Sequence, residues 1–398
     1  MNILYIAYSC DPFNGSEDKI GWNIPVESAK INDNIFVITK MEHKEIIEKY
    51  LEKNPISNIK FYFVDIPKFY KKIFKSFLYS ARLNIWHKRA VNIVKQICFD
   101  NKIDIIHQIT PVEFRSIGDY NKIPNIKFVV GPIGGGEFVP QGLKEYINGH
   151  KIVEKIRFII NTYYKLKFYN KLQKIDYISF ANVETKKYLT NEREYDVISE
   201  IGIDKKEIVS EKISNSDKMV FLVSGRLIYR KGHRFLLDAL ELLPKNLSYE
   251  VRIIGDGNEF SKLQNIISTS SNLKNNVYLI GKLKYEQMHN EYKNADVLIM
   301  PSIRETTGTV IIEALSNGLP VITINKFGAK NIVNQNNGYL YEGETKNELV
   351  NSLKEEIQRC IEDDDEVKEK SIEAITTAHM FTWENKVKKY QDIYIKLL

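Results

Sequence analysis

Residues Pro301 to Pro320 read PSIRETTGTVIIEALSNGLP, and this stretch decides the fold. The apolar run ADVLIM (Ala295 to Met300) precedes it and reads as a buried parallel strand. Val310 to Leu315 starts a helix, Asn317-Gly318 stops it, and Pro320 opens the next strand. The loop between strand and helix carries Glu305, Thr306, Thr307, Gly308 and Thr309, and seven residues separate Glu305 from Glu313. A helix N-terminus presents unpaired N–H groups and the positive end of its dipole, which suits a phosphate. Gly308 lets the backbone come close to an anion. One carboxylate on the loop and one on the helix bracket polyol hydroxyls on either side of that phosphate, as a nucleotide-sugar site requires. Taken alone, the spacing fits two solvated glutamates equally well.

Working outward, short apolar runs alternate with amphipathic stretches. ILYIAY, NIFVIT, IKFYFV, IDIIHQ and IKFVVG come first; KMVFLVSG, YEVRIIG, NVYLIG, ADVLIMPS and LPVITI follow. Alternation at this spacing predicts parallel sheets with helices on both faces, and its doubling predicts two doubly wound α/β domains. Ligands of such sheets bind beyond the carboxyl ends of the strands. Apolar periodicity lapses between Ile198 and Asn215, which places the break near residue 200.

A chain of 398 residues suits two domains, and 43% hydrophobic with 27% charged residues describes a soluble globular protein. Cys10, Cys98 and Cys360 are odd in number and far apart, so neither a disulfide framework nor a zinc site is indicated, and a reducing compartment fits. No apolar run approaches the length of a membrane span, and MNILYIAYSCD reads as a first strand rather than a signal peptide. The net charge of +6 is mild for a nucleic-acid binder, but it is unevenly spread. Pro67 to Ala90 holds seven Lys/Arg and no acid, and Lys151 to Lys174 holds seven against Glu154 alone. Aromatics interleave both: Phe69, Tyr70, Phe74, Phe77, Tyr79 and Trp86 in the first, and Phe158, Tyr163, Tyr164, Phe168 and Tyr169 in the second. This is the pattern of helices lying on an anionic membrane surface, or of basic helices packing their aromatics inward. The acidic run Glu362 to Glu366 reads as a solvated turn or helix face.

Several glycine and basic loops follow strands. Ser224-Gly225-Arg226-Leu227 is followed by Arg230-Lys231-Gly232. Arg forks two hydrogen bonds to a diphosphate and Lys adds a point charge, so Arg226 and Lys231 suit a diphosphate whose charge grows as it leaves, or else form a basic surface loop. Gly281-Lys282-Leu283, Phe13-Asn14-Gly15-Ser16-Glu17 and Gly131-Pro132-Ile133-Gly134-Gly135-Gly136-Glu137 are weaker as isolated turns. His107, in DIIHQITP, ends a strand, where a histidine is structural or catalytic.

Together PSxRE, the glycine after Glu305, EAL, NGLPVI and SGRL…RKG resemble the signature of retaining GT-B glycosyltransferases, the family 4 type of the glycosyl transferases group 1. CDPxxGSExxxGW and HQITPxxxR resemble a subgroup of them. The resemblance implies two Rossmann-like domains facing a cleft: residues 1–200 for the acceptor, 201–380 for the donor, and a closing helix over 381–398 that crosses back. It implies that Arg226 and Lys231 clamp the donor diphosphate and that Gly15 closes on it from the opposite wall. Glu305 faces the transferred sugar, the amides of Thr306, Thr307, Gly308 and Thr309 meet the phosphate, Glu313 holds the ribose, and the backbone of Lys282 and Leu283 lies beside the base. On the acceptor side it implies Gly134, Gly135, Gly136, Glu137, His107 and Arg115, with His107 close to the sugar. Two threonines stand where the family has a small residue and an aromatic.

The resulting expectation is a hexosyltransferase using a nucleoside diphosphate sugar (UDP or GDP) as co-substrate, with no metal or other cofactor. Its acceptor is a saccharide, expected on a lipid in bacterial surface-glycan assembly, and its location is cytoplasmic at the inner face of the membrane. A nucleotide-sugar epimerase, a catalytically silent sugar-nucleotide-binding subunit and a nucleic-acid-binding protein are the rival readings.

Overall fold

The computed structural model of the chain describes residues 1–15, 17–67, 79–190, 196–212 and 218–398. They form two compact units. The first comprises Met1–Gly136, Ile156–Gly202 and Trp383–Leu398, and the second Glu137–Lys155 and Ile203–Thr382.

In the first unit six parallel strands stand in the order β3-β2-β1-β4-β5-β6. They are β1 (Asn2–Ala7), β2 (Asn34–Lys40), β3 (Ile59–Val64), β4 (Ile105–Thr110), β5 (Lys127–Ile133) and β6 (Tyr177–Phe180). Because successive side chains point to opposite faces, β1 feeds two layers from Ile3 onward. Leu4 and Ile6 join Trp86, Ile106 and Phe128 on one face, while Ile3, Tyr5 and Ala7 join Trp22, Ile105 and Tyr394 on the other. Helices α1 (Glu17–Ala29), α2 (Lys44–Lys53), α3 (Tyr79–Asp100), α4 (Lys151–Leu172) and α5 (Val183–Leu189) connect the strands, with α4 beginning in the second unit.

The second unit repeats the plan with β7 (Met219–Ser224), β8 (Tyr249–Ile254), β9 (Val277–Gly281), β10 (Val297–Met300), β11 (Val321–Ile324) and β12 (Gly338–Tyr341). Their order is β12-β11-β10-β7-β8-β9, again parallel throughout. Its helices are α6 (His233–Glu241), α7 (Phe260–Thr269), α8 (Tyr285–Asn294), α9 (Thr309–Ser316), α10 (Lys346–Glu362) and α11 (Asp364–Met380). The segment Glu137–Lys155 joins this unit because Val139, Leu143 and Ile147 enter its core beside Phe235 and Leu349. Nothing in the apolar pattern marks that insertion. The final helix, α12 (Trp383–Leu397), puts Trp383, Val387, Tyr390 and Tyr394 into the core of the first unit.

All ten apolar runs form strands. The two unread strands, β6 and β12, are four-residue edge strands whose tyrosine, serine and glycine residues break the apolar run that marks the equally short β10 and β11. The acidic run starts a helix: Asp363 caps α11 by accepting from the Glu366 amide at 2.9 Å, and Asp364 and Asp365 lie in its first turn, where its dipole favours negative charge.

Of the two basic aromatic segments, most of the first, including Phe69, Tyr70, Phe74 and Phe77, lies outside the described residues. Trp86 is core rather than surface, with no exposure and its indole N–H donated to the Val64 carbonyl at 3.2 Å.

Candidate active site

In the second sheet the strand order reverses between β7 and β10, the place where an open α/β sheet leaves a crevice at its carboxyl edge. The loops after these two strands are 225–232 and 301–308, the two that carry the motifs. Backbone contacts join them. The Arg230 carbonyl accepts from the amides of Ile303 and Arg304 at 3.0 and 3.4 Å. Gly232, at φ 72° and leading into α6, sits so close to strand β10's end that a Cβ there would lie 1.9 Å from the Pro301 carbonyl oxygen. Only glycine fits, for both its torsion and its space.

This junction sets two cations against one carboxylate. Lys231 Nζ donates to Glu305 Oε2 at 2.5 Å, and Arg230 Nη1 lies 3.6 Å from the same oxygen. The Glu305 side chain is 13% exposed and that of Lys231 16%, so little solvent screens the pair. Burial alone would raise the Glu305 pKa; the charges of Lys231 and Arg230, then hydrogen bonds from Lys231 and the Thr306 backbone, outweigh it and hold the carboxyl below its ordinary value. The Lys231 side chain also crosses the backbone of Gly225, its Cε 3.8 Å and its Nζ 4.0 Å from where a Cβ would stand. The end of β7, the ammonium and the carboxylate are thereby stacked together.

Gly308, at φ 98°, occupies the N-cap of α9 and offers no side-chain oxygen to the first amides of the helix. The Ile311 amide donates to the Gly308 carbonyl at 3.1 Å, and the amides of Thr309 and Val310 with the dipole suit an anion. Thr306 and Thr309 are half-buried, whereas Thr307 is fully buried against Gly328. One turn along α9, Glu313 Oε2 accepts from the Tyr292 hydroxyl of α8 at 2.7 Å. Glu313, Tyr292, Ser224 and Met288 line a cavity of about 480 Å³. Arg226 is exposed, with no hydrogen bond or ion pair to its side chain among the described residues. Lys282 is exposed and Leu283 half-buried, just beyond β9.

Four features of this geometry lay beyond sequence reasoning. Arg230 shares Glu305 with Lys231, Gly232 is the hinge of the two loops, and Tyr292 anchors Glu313. Fourth, Arg304 is gripped by Glu154 of the inserted segment, at 2.5 and 2.6 Å to its two carboxylate oxygens. The RKG triplet was the available signal for the first two; the pairs with Tyr292 and Glu154 leave no local trace.

In the first unit the order reverses between β1 and β4, and the corresponding loops hold Gly15 and Arg115. Gly15 is exposed, and a Cβ there would meet nothing within 4 Å. Arg115 Nη2 donates to Glu113 at 2.5 Å, and Glu113 also accepts from Ser80 at 3.0 Å. The Gly134 carbonyl accepts from Phe114 N–H, the Gly135 carbonyl from Arg157 and Asn161, and the Gly136 amide donates to Thr185. Glu137 is buried.

His107 requires a correction. It stands inside β4, not at its end, and has no exposure. Its Nε2 donates to the Gly131 carbonyl at 2.8 Å and its Nδ1 accepts from the Tyr394 hydroxyl at 2.6 Å. Burial lowers its pKa to about 3. With both ring nitrogens engaged in the core, it has no group left to touch a sugar or acceptor.

Comparison with known proteins shows what this site is similar to. Residues 204–376 match the model of the glycosyl transferases group 1, and the match contains Lys231, Glu305, Gly308 and Glu313. The chain is similar to Protein CapJ of Staphylococcus aureus at 29% identity, over 41% of this chain and 42% of that one. A GDP-mannose-dependent monoacylated phosphatidylinositol monomannoside mannosyltransferase of Corynebacterium glutamicum is 28% identical, over 42% of this chain and 44% of its own. The chain thus spans less than half the length of these two relatives. HepE of Anabaena, solved in complex with UDP, superposes over 100% of both chains with a TM-score of 0.62 at 17% identity. That likeness is one of fold: two Rossmann-like α/β units, the GT-B architecture.

Proposed function

We propose that the protein is a retaining, metal-independent hexosyltransferase of the family 4 type. It moves a sugar from a UDP- or GDP-sugar to a hydroxyl of a saccharide carried on a lipid at an anionic membrane surface, in bacterial surface-glycan assembly. The observation that carries this reading is the cluster of Lys231 and Arg230 on Glu305 beside the glycine-capped start of α9. A diphosphate placed against that helix start meets two cations and free amides, and a sugar attached to it meets Glu305.

In the reaction the bond from the anomeric carbon to the β-phosphate oxygen breaks, and the acceptor hydroxyl oxygen bonds to that carbon on the same face. The acceptor proton passes to the departing phosphate. Lys231, Arg226 and the amides after Glu305 stabilise the charge that grows there. Glu305 orients the sugar, Glu313 holds the ribose, and Tyr292 fixes Glu313. Relatives whose names specify a GDP-mannose donor and a phosphatidylinositol-linked acceptor support the reading, as does the UDP complex of HepE. Among the described residues no helix is long and apolar enough to cross a membrane.

The test is a thermal-shift screen, without metal, of UDP, GDP and their common sugar conjugates against wild type and Arg226→Ala. A ligand that binds the native state raises Tm by mass action. A shift with one nucleotide family that Arg226→Ala abolishes identifies the donor; no shift with any of them sinks the proposal.

A further inference from the structure

Helix α4 does two things at once. Outward, Ile152, Phe158, Ile159, Tyr163, Leu166 and Tyr169 are each more than half exposed, from 53% at Phe158 to 76% at Ile152. Tyr164, Phe168 and Leu172 take the opposite side into the core. Six large apolar side chains left in water along one helix exceed the scattered exposure of an ordinary surface. Lys151, Lys155 and Lys167 are exposed among them, and among the described residues none makes an ion pair. The only carboxylate of the helix, Glu154, is turned away. It accepts from Arg304 at 2.5 and 2.6 Å and from the Tyr229 hydroxyl at 2.6 Å, and the Arg304 and Glu154 side chains are each only 12% exposed. Consequently the outer face is apolar and purely basic, which complements an anionic lipid surface and repels a basic one.

The inward contact reaches the donor site in one step. Arg304 adjoins Glu305, and its amide is bound to the carbonyl of Arg230, the second cation on Glu305. Whatever orders the first turn of α4 therefore orders the loop that faces the sugar. We propose that the outer face of α4 docks on an anionic lipid surface and that Glu154 relays docking to loop 301–308, steadying Glu305. Glu154 is thus a positioning residue, acting through Arg304. The inference rests on the membrane location in the proposed function, but its test involves no donor, so the donor-site reading stands or falls separately on the thermal-shift screen.

The experiment is sedimentation with phosphatidylcholine vesicles, with and without phosphatidylglycerol, followed by hydrogen exchange on the pelleted protein. Wild type should pellet with the anionic vesicles alone at low salt, and replacing each of Lys151 and Lys155 by Gln should weaken partition roughly fivefold. Ile159→Asp/Leu166→Asp should remain in the supernatant. On vesicles, exchange should slow in α4 and also in 301–309. In Glu154→Gln it should slow in α4 only. Failure of wild type to pellet, pelleting that the double variant retains, or unchanged exchange in 301–309 of wild type overturns the proposal, and the last needs no variant that folds. Self-association abolished by the same double variant would assign the face to a second copy of the chain instead.

Discussion

Lys231 Nζ stands 2.5 Å from Glu305 Oε2, and it does so because residue 232 is a glycine lying against the Pro301 carbonyl. The ion pair is a product of loop packing: two segments some seventy residues apart meet only after β7 and β10 have become neighbours. Two cations face one carboxylate here, so the junction keeps a surplus positive charge, to which Arg226 and the first amides of α9 add.

Removing one cation tests the junction. Lys231→Ala leaves a poorly hydrated carboxylate with Arg230 alone, and should destabilise the fold by roughly 2–3 kcal/mol, below the cost for a fully buried pair because solvent reaches both groups. Glu305 is held below its ordinary pKa, so its contribution is present above the unfolded value and is lost as pH falls through the folded one. Urea denaturation at pH 7 and below pH 4.5 should show the variant's deficit shrinking on acidification. A deficit that does not depend on pH contradicts the assignment.

Gly232→Ala tests the hinge. Its Cβ would meet the Pro301 oxygen at 1.9 Å in a left-handed backbone conformation. The expected loss is about 2–3 kcal/mol, and the loops must part to relieve it. A midpoint in urea within experimental error of wild type would show that the contact is relieved without cost.

His107→Ala separates structure from chemistry. The change leaves the Gly131 carbonyl and Tyr394 hydroxyl unpaired around a cavity, and about 2–4 kcal/mol should be lost. Because burial lowers the folded pKa to about 3, the unfolded chain binds this proton first as pH falls below 6.5. Wild-type stability should fall from pH 6.5 toward 3, more steeply than that of His107→Ala. Histidine NMR is a direct check: a His107 ring that titrates near 6.5 refutes the burial argument.

Tyr292→Phe removes one hydrogen bond from Glu313 and little else. With Glu313 on the ribose, affinity for the nucleoside diphosphate should drop about fivefold, equally with or without an attached sugar, for a loss of about 1 kcal/mol. Isothermal titration settles it; an unchanged Kd removes Tyr292 from the positioning shell.

Much of this was legible in the chain. Period-two and continuous apolar runs flanked by glycine announced the sheets, and the PSIRE and RKG loops were placed after the strands that carry them. Signals failed where they were interrupted or contradictory. In the strands YISF and GYLY, tyrosine, serine and glycine break the apolar run. His107 reads toward function because the family resemblance puts a histidine at the cleft, yet Tyr394, 287 residues away, satisfies it in the core. Glu154 looked like a stray acid in a basic helix until Arg304 gave it a partner.

By itself the sequence determined the local terms: which segments are strands and helices, where glycine permits a tight loop, and which loop carries Glu305 and which Lys231. Those follow from periodicity and backbone sterics, which act over a few residues. Only the tertiary structure decided partnership. That Lys231 and Arg230 share Glu305, that Tyr292 serves Glu313, that Glu154 leaves its own helix face bare of acid, and that His107 is sealed under α12 depend on strand order and on the insertion of Glu137–Lys155 into the second unit. Such pairings are set by packing across long sequence separations, where no residue's immediate neighbours record which charge or hydroxyl it will meet.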